Sequence, residues 1–408
     1  MARTTVVVIG AGQAGLAVSH LLTAGSVDHV VLERGRVAER WLSQRWDSLR
    51  LLTPSWLVRL PGGQYTGPEP DGYLAAREVA AHLAGYAAPA PVRTHTEVLS
   101  VYRTDDGYRT VTTDGTWSSD AVVVATGHSA AARRPPMAGD LPPSVVQPDA
   151  DTYRRPGDLP DGGVLVVGAS ATGVQLADEI AGSGRPLTLA VGSHRRLPRH
   201  HLGRDVFWWL DRMGVLRRRR ADAGPRQWRE PSLQLVGRDD GRAVDLPSLQ
   251  QRGVVLAGRF VGTTGRQLEL ADDLPVTTAD ADARMRAALA RIDAYAVQHG
   301  LATPPGPTPV PAARTAGSPT RLAVGRRGIR TVVWATGYRR SYPWLHVPVL
   351  DARGEIVHTG GRTPAPGLYV IGMAWQTRRN ATTLDGVGAD AALVVEHLES
   401  HLRTRAGV

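Results

Sequence analysis

The chain contains two glycine-rich turns, and each follows a run of β-branched residues. The first reads Gly10-Ala-Gly12-Gln13-Ala14-Gly15, and the second reads Gly168-Ala-Ser170-Ala-Thr172-Gly173. A strand, a tight glycine turn and a helix start, in that order, aim backbone N–H groups and the positive end of the helix dipole at a phosphate. Two such motifs predict two dinucleotide sites on one protein, the arrangement needed when a nicotinamide reduces a flavin.

In the first turn each glycine has a separate task. Gly10 permits the tight turn, Gly12 lets the backbone approach a pyrophosphate, and Gly15 permits close packing of the helix on the strand. Glu33, followed by Arg34, ends the next predicted strand, where a carboxylate binds ribose hydroxyls. Its charge would repel a 2′-phosphate, so the first site is predicted to take FAD or NAD rather than NADP.

The second turn carries Ser170 where the second glycine usually stands, and Ser170 and Thr172 are expected to face phosphate. No acid ends the following strand; Ser193, His194, Arg195 and Arg196 come next. Arginine binds phosphate bidentately and stacks on adenine, so this end favours NADPH over NADH. The alternative is an exposed arginine pair without a ligand.

The surrounding pattern predicts an α/β fold. We expect strands at 4–10, 28–33, 163–167, 187–191, 329–337 and 367–371, an antiparallel meander over 96–124, and helices at 13–24, 73–87, 172–182, 278–299 and 387–403. Two strands on either side of the second unit end alike, in Ala125-Thr126-Gly127 and Ala335-Thr336-Gly337, and they are interpreted as two chain crossings. The prediction is two Rossmann-like domains: an FAD domain (1–155 and 312–408) into which an NADPH domain with a helical insertion (156–311) is inserted.

Composition narrows the function further. The sequence has no cysteine, which excludes disulfides, thiolate metal sites and a redox-active cysteine pair, and no histidine cluster has metal-ligand spacing. It has no apolar run long enough for a membrane span, and we expect a cytoplasmic enzyme. The net charge of +10 comes entirely from arginine, scattered except for 217–220, a run interpreted as a solvated helix end. We therefore expect no nucleic-acid partner.

Several further motifs resemble those of the class B flavoprotein monooxygenases, in particular the flavin-containing monooxygenases and the plant YUCCA-like enzymes. They are Glu39-Arg40, Trp46-Asp47-x-Leu49-x-Leu51-x-x-Pro54, Leu60-Pro61, the two Ala-Thr-Gly motifs and Gly367-Leu-Tyr-Val-Ile-Gly372. The resemblance implies FAD at the first turn, NADPH at the second and O2 with a small molecule as substrates. It also implies hydride transfer to FAD, a C4a-(hydro)peroxyflavin, and N-, S- or C-oxygenation.

The chain departs from this family at two places. In the linker signature Tyr153-Arg154 are kept, but Pro143, Val145 and Asp149 occupy the Phe, Gly and His positions. The family's asparagine beside the flavin has no counterpart in 52–55, so Thr53 or Ser55 takes that role or it is vacant.

Further site residues are expected among the aromatic side chains and near the C-terminal helix. Trp46-Asp47 is predicted at the flavin face, with Trp46 and Thr53 as the catalytic candidates. Trp41 and Trp375 are expected in a dry pocket, and Asp385 near the ribityl chain and pyrophosphate. Two alternatives stay open: an NADPH-dependent flavin oxidoreductase without stable oxygen transfer, and a nicotinamide-sensing flavoprotein without turnover. The oligomeric state is not predicted.

Overall fold

The computed structural model describes residues 1–238, 240–303, 306, 310–326 and 328–407. Helices and strands alternate through most of this length. The elements up to residue 124 are β1 (Ala2–Ile9), α1 (Gln13–Ala24), β2 (His29–Leu32), α2 (Glu39–Ser43), β3 (Arg59–Leu60), β4 (Gly63–Gln64), α3 (Ala76–Tyr86), β5 (Val92–Arg93), β6 (Val98–Thr104), β7 (Gly107–Thr112) and β8 (Gly115–Val124).

The remaining elements form the second nucleotide unit, its insertions and the return of the chain. Up to residue 298 they are β9 (Ala131–Ala132), β10 (Gly163–Val167), α4 (Ala171–Gly182), β11 (Leu187–Ala190), β12 (Arg195–Arg196), β13 (His200–His201), β14 (Arg204–Asp205), α5 (Val206–Arg212), α6 (Pro225–Trp228), β15 (Leu233–Gln234), α7 (Leu246–Gln251), β16 (Val255–Ala257), β17 (Phe260–Thr264), β18 (Gln267–Leu270) and α8 (Leu274–Gln298). After them come β19 (Arg321–Ala323), β20 (Ile329–Trp334), β21 (Tyr338–Arg339), β22 (Leu368–Val370) and α9 (Val387–Ala406).

Two sheets carry the fold. The first has the order β5-β2-β1-β8-β7-β6, with β22 paired in parallel to the carboxyl end of β8. The second is β16-β11-β10-β20, and all of its pairs are parallel. Buried Val, Ile and Leu fill the strands of both sheets, as expected when helices cover a parallel sheet. The predicted α/β class with two Rossmann-like units is confirmed.

The chain passes between the two sheets at the Ala-Thr-Gly motifs. Directly after them, β9 and β21 pair antiparallel, so the outgoing and returning segments run side by side. Strand β20 lies within the segment predicted for the FAD domain, but it pairs with β10 in the second sheet. The exact domain boundaries stay a prediction, and residues 304, 305 and 307–309, just before the predicted boundary at 312, lie outside the described residues.

The two glycine turns have nearly identical backbones. Gly10 has a φ of +108° and Gly168 a φ of +109°, a region open to glycine. A Cβ added at Gly15 would lie 1.9 Å from the carbonyl oxygen of Gly10. At Gly173 it would lie 1.7 Å from the carbonyl oxygen of Gly168. Both helices therefore rest directly on the turn that precedes them, which only glycine permits.

One expectation about the arginine run is wrong. Helix α5 ends at Arg212, and the run 217–220 lies in the irregular stretch that follows it. There Arg219 forms a β-bridge with Arg378, and a side-chain N–H of Arg220 donates to the carbonyl of Trp375 at 3.1 Å. The run therefore pairs with the segment before α9 rather than ending a helix, while its four arginines are exposed, as expected for a solvated run. Separately, no helix among the described residues has the length and apolar character needed to span a membrane.

Replacing Gly15 with alanine tests the packing of α1 on its turn. The new methyl group meets backbone that cannot move aside, so we expect the free energy of unfolding to fall by about 3 kcal/mol or more and FAD to be lost on purification. The matched control is Gly85→Ala in α3, where a Cβ meets nothing within 4 Å; it should leave stability unchanged or raise it by up to about 1 kcal/mol. Urea denaturation measures both, and equal stability of the two variants would contradict the packing argument.

Candidate functional site

A cavity of about 260 Å³ opens at the carboxyl ends of β1 and β2. The first glycine turn, the stretch after β5, the first Ala-Thr-Gly motif and the start of α9 form its walls. Ten of the predicted cofactor residues line it: Gly10, Gly12, Gln13, Ala14, Glu33, Arg34, Trp41, Ala125, Thr126 and Gly127. Gly15 does not line it, because it lies behind the turn against Gly10.

The turn and the start of α1 have the properties of a phosphate cradle. A Cβ at Gly12 would meet nothing within 4 Å, so the backbone there is open to an incoming group. No side chain caps the N-terminus of α1, which leaves its first N–H groups without a side-chain acceptor. The buried hydroxyl of Thr126 also has no hydrogen-bond partner within the described residues. These orphaned groups fit the pyrophosphate of a dinucleotide.

Glu33 is held rigidly at the end of β2. One carboxylate oxygen accepts from the N–H of Ala11 at 2.8 Å, and the other accepts from the N–H of Gly35 at 3.0 Å. Each oxygen keeps a further lone pair for a hydroxyl group. A carboxylate fixed in this way can bind the two ribose hydroxyls of an adenosine without rearranging.

Cationic side chains that sequence reasoning missed form one wall of the cavity. Arg40 and Arg45 both line it, and both contact Asp151, at 3.2 and 3.7 Å. Tyr338 packs beneath them, and burial raises the pKa of its phenol. The only signal in the sequence was the Glu39-Arg40 motif, since Asp151 and Tyr338 come from distant parts of the chain.

The opposite wall is the segment before α9. Gly372, Thr382 and Val387 line the cavity, and the side-chain amide of Gln13 donates to the carbonyl of Thr382 at 3.2 Å. Asp385 does not line it. Its carboxylate accepts from Asn380 at 2.6 Å and pairs with Arg59 at 3.3 Å, while burial raises its pKa. We therefore interpret Asp385 as a residue that shapes this segment.

At the second turn, the start of α4 repeats the uncapped helix N-terminus of α1. Ser170 and Thr172 are half-buried there, and no side chain caps the helix. The neighbouring Ala169 is covered by Gln234, whose amide donates to the Ala169 carbonyl at 2.5 Å. The first N–H groups of α4 therefore have no side-chain acceptor, as in α1, while Gln234 lies over the Ala169 side of the turn. Ala335 packs behind Gly168 as Ala125 packs behind Gly10. The hydroxyl of Thr336 donates a hydrogen bond to the carbonyl of Arg133. This Ala-Thr-Gly motif, which ends at Gly337, therefore stabilises the chain crossing.

The two arginines predicted to bind the 2′-phosphate form ion pairs with carboxylates instead. Arg196 is buried and contacts two carboxylates, Asp245 at 3.1 Å and Asp282 at 2.8 Å. This corrects the expectation for Arg196, because a guanidinium enclosed by two aspartates does not reach a ligand. Arg195 pairs with Glu230, and burial lowers its pKa. Ser193 remains exposed.

Three predicted aromatic and catalytic positions also differ from expectation. Trp46 is buried in the core of the second sheet, in one hydrophobic cluster with Tyr153 and Val174, and it does not line the cavity. The neighbouring Asp47 is exposed. Trp375 is buried with a φ of +55° and holds Arg220 through its carbonyl. Trp46 and Trp375 therefore contribute to core packing. Trp41 and Trp344 line the cavity.

Thr53 does not line the cavity, and its predicted place beside the flavin stays a prediction. It is half-buried, and its hydroxyl forms no hydrogen bond within the described part of the chain. Ser55, the alternative, is buried and donates to the carbonyl of Gly72 at 2.9 Å. Of the two hydroxyls, only that of Thr53 has no hydrogen-bond partner within the described residues.

The altered linker signature is structurally compensated. Asp149, at the family's histidine position, is buried and accepts two hydrogen bonds from Arg134, at 2.8 and 3.1 Å. Its other oxygen accepts from the backbone of Asp151 and Thr152. The turn leads into Arg154, whose guanidinium donates to the carbonyls of Ser43 and Arg45. The linker therefore holds the segment that carries Trp41 and Arg45.

Comparison with known proteins identifies the family. An uncharacterized CzcO-like oxidoreductase from Geobacillus kaustophilus is 30% identical over 402 residues, which covers 97% of this chain and 98% of that protein. The chain belongs to the CzcO-like oxidoreductases. The sequence profile described as pyridine nucleotide-disulphide oxidoreductase matches residues 7–206. The resemblance inferred from the motifs is confirmed, and enzymes of this family use FAD and NADPH.

Two further matches extend this result. A probable indole-3-pyruvate monooxygenase of Arabidopsis thaliana, YUCCA1, is 31% identical over 211 residues, about half of each chain. The solved structure of a flavin-containing monooxygenase from Stenotrophomonas maltophilia has a TM-score of 0.68 at 19% identity and covers 98% of this chain and 100% of its own. At that identity the likeness concerns the fold alone.

Replacing Glu33 with glutamine tests the ribose site. The new NH2 group would face a backbone N–H donor, so one of the two hydrogen bonds to Ala11 and Gly35 is lost along with the negative charge. We expect the Kd for FAD to rise about tenfold or more. Glu69→Gln, an exposed carboxylate away from the cavity, is the control and should bind FAD like the unmodified chain. Fluorescence titration of the apoprotein decides, and equal Kd values for both variants would remove Glu33 from the site.

Asp390, in the first turn of α9, predicts a pH dependence of stability. It is fully buried, and burial raises its pKa from 3.8 to about 6, although the hydrogen bond from Thr377 acts to lower that pKa. Because the folded state favours the protonated carboxyl, the free energy of unfolding is highest below about pH 4. It falls as the pH rises through 6 and the buried carboxyl loses its proton. Asp390→Asn should therefore gain stability over the unmodified chain between pH 4 and 8, by on the order of 2 kcal/mol. Asp105→Asn, at an exposed carboxylate, should show no such gain, and parallel pH profiles of unfolding for all three proteins would contradict the argument.

Proposed function

We propose that this chain is an FAD- and NADPH-dependent monooxygenase of the cytoplasm that oxygenates a small molecule at nitrogen, sulfur or activated carbon. The observation that carries the proposal is the pair of phosphate turns with equal backbone geometry, one of which opens into a cavity lined by unpartnered N–H and hydroxyl groups. The similarity to flavin monooxygenases supports the reaction type.

The residues of the chain would bind and orient the two cofactors. The start of α1 and Gly12 would receive the FAD pyrophosphate, Glu33 its adenosine ribose, and Trp41 would cover part of the cofactor. The start of α4 at Ser170 would receive the NADPH pyrophosphate. Bound FAD and NADPH supply the redox chemistry and the reaction with O2.

The absence of cysteine separates this proposal from disulfide reduction. The profile matched by residues 7–206 describes pyridine nucleotide-disulphide oxidoreductases, a chemistry that passes electrons through a cysteine pair. This chain contains no cysteine. Reducing equivalents reaching the flavin therefore have no thiol acceptor in the protein, which favours O2 as acceptor.

The direct test uses purified protein. It should carry one FAD per chain and consume NADPH and O2, with oxygenated product formed from a panel of amines, thioethers and indolic acids. A preparation that neither retains nor takes up FAD would end the proposal.

A second candidate function is an NADPH oxidase that releases hydrogen peroxide. The absence of asparagine from 52–55 favours it, because the flavin-containing monooxygenases that the chain resembles place an asparagine beside the flavin in this stretch. The two functions differ in the ratio of peroxide released to NADPH consumed, which is near one for the oxidase.

Replacing Thr53 with valine tests whether its hydroxyl serves the reaction. Valine keeps the shape and removes the only unengaged hydroxyl in 52–55, so we expect FAD binding to be retained and the peroxide released per NADPH to rise about twofold or more. Ser55→Ala is the control, because its hydroxyl already bonds to Gly72. An unchanged peroxide ratio in Thr53→Val would exclude the role.

A further inference from the structure

The two nucleotide units can be superposed residue by residue through their backbone hydrogen bonds. The N–H of Gly10 donates to Leu32 at 2.8 Å, and the N–H of Gly168 donates to Ala190 at 3.0 Å. One residue further, the N–H of Glu33 donates to Arg93 at 2.9 Å. In the second unit the N–H of Val191 donates to Ala257, also at 2.9 Å. Val191 therefore occupies the position of Glu33, and β16 occupies the position of β5.

This equivalence shows what surrounds the adenosine ribose of a second dinucleotide. Val191 has no charge, so nothing at the position of Glu33 repels a 2′-phosphate. In the first unit, the residues that follow β5 line the cavity, beginning with Thr96. By the same register Arg93 corresponds to Ala257 and Thr96 to Phe260, so Gly258 and Arg259 lie directly before the residues equivalent to that wall.

Arg259 is directed across the end of β11. A Cβ at Gly192 would meet the Cγ of Arg259 at 3.2 Å, so the aliphatic part of Arg259 fills the space that the glycine leaves open. Its backbone N–H donates to Asp273 at 3.0 Å, and its Nε donates to the other carboxylate oxygen at 2.6 Å. Asp273 thus fixes the guanidinium from one side.

The outer side of that guanidinium is available. Its two terminal nitrogens make no hydrogen bond within the described residues, and the side chain is 62% exposed. Arg195 and Arg196, in contrast, are engaged by Glu230, Asp245 and Asp282. Among these three arginines next to the second nucleotide strand, Arg259 alone presents two N–H groups in the fork geometry that binds phosphate.

We infer that Arg259, set against Gly192 and Ser193, is the anion subsite that binds the 2′-phosphate of the nicotinamide dinucleotide. The inference rests on the proposed function, because it presupposes that the second turn binds a nucleotide. The 2′-phosphate is thereby assigned to Arg259, which follows strand β16, and not to Arg195 or Arg196, which follow the neighbouring strand β11.

The experiment measures nucleotide binding to the FAD-loaded protein by isothermal titration calorimetry. The probes are adenosine 2′,5′-bisphosphate and adenosine 5′-monophosphate, which differ only in the 2′-phosphate. Arg259→Gln should weaken binding of the bisphosphate about tenfold or more and leave the monophosphate within about twofold. Arg259→Lys keeps the charge without the fork and should fall between. Arg195→Gln is the matched control and should bind both probes like the unmodified chain.

Each other outcome overturns the inference in a recognisable way. If Arg259→Gln weakens both probes equally, Arg259 has a structural role through Asp273; if only Arg195→Gln discriminates, the phosphate lies at β12. If the unmodified chain binds both probes equally well, the subsite does not exist, although flavin reduction by NADPH would still support the proposed function. If neither probe binds, the inference and the second cofactor site of the proposed function fail together.

Discussion

The contact between each nucleotide helix and the turn before it constrains everything else in this protein. Helices α1 and α4 approach their turns so closely that a single methyl group at Gly15 or Gly173 would overlap a backbone carbonyl. That approach aims the helix start along the carboxyl edge of its sheet, where the first N–H groups are left for a phosphate. Gly10 and Gly168 add the positive φ that turns the chain sharply enough to permit it. Both proposed cofactor positions follow from this packing.

Charge makes the two otherwise similar sites different. At the end of β2 a carboxylate is fixed by two N–H groups, and arginines stand on the cavity wall beyond it. At the equivalent end of β11 the carboxylate is replaced by valine and a nearby arginine is held by Asp273. On the proposals made above, a few side chains at two strand ends let the same fold distinguish a flavin dinucleotide from a phosphorylated nicotinamide dinucleotide.

The sequence predicted those parts that depend on local patterns. The glycine turns, Glu33 and the order of helices and strands were recognisable because β-branched runs, glycine spacing and helical periodicity act over short distances. Arg196 could not be judged in this way, since Asp245 and Asp282 reach it from α7 and α8. Trp46 likewise looked like a cofactor residue until its contacts with the second sheet were visible. Arg259 has no motif at all, and its position follows only from the pairing of β11 with β16.

The measurement closest to the central claim is the rate of flavin reduction when FAD-loaded protein is mixed with NADPH in the absence of oxygen. The account holds that the second turn positions the nucleotide that reduces the flavin in the first. The unmodified chain should lose its flavin absorbance within a catalytic turnover, and Gly173→Ala should keep bound FAD but no longer be reduced. Reduction of Gly173→Ala at the unmodified rate, or a flavin that NADPH never reduces, would contradict it.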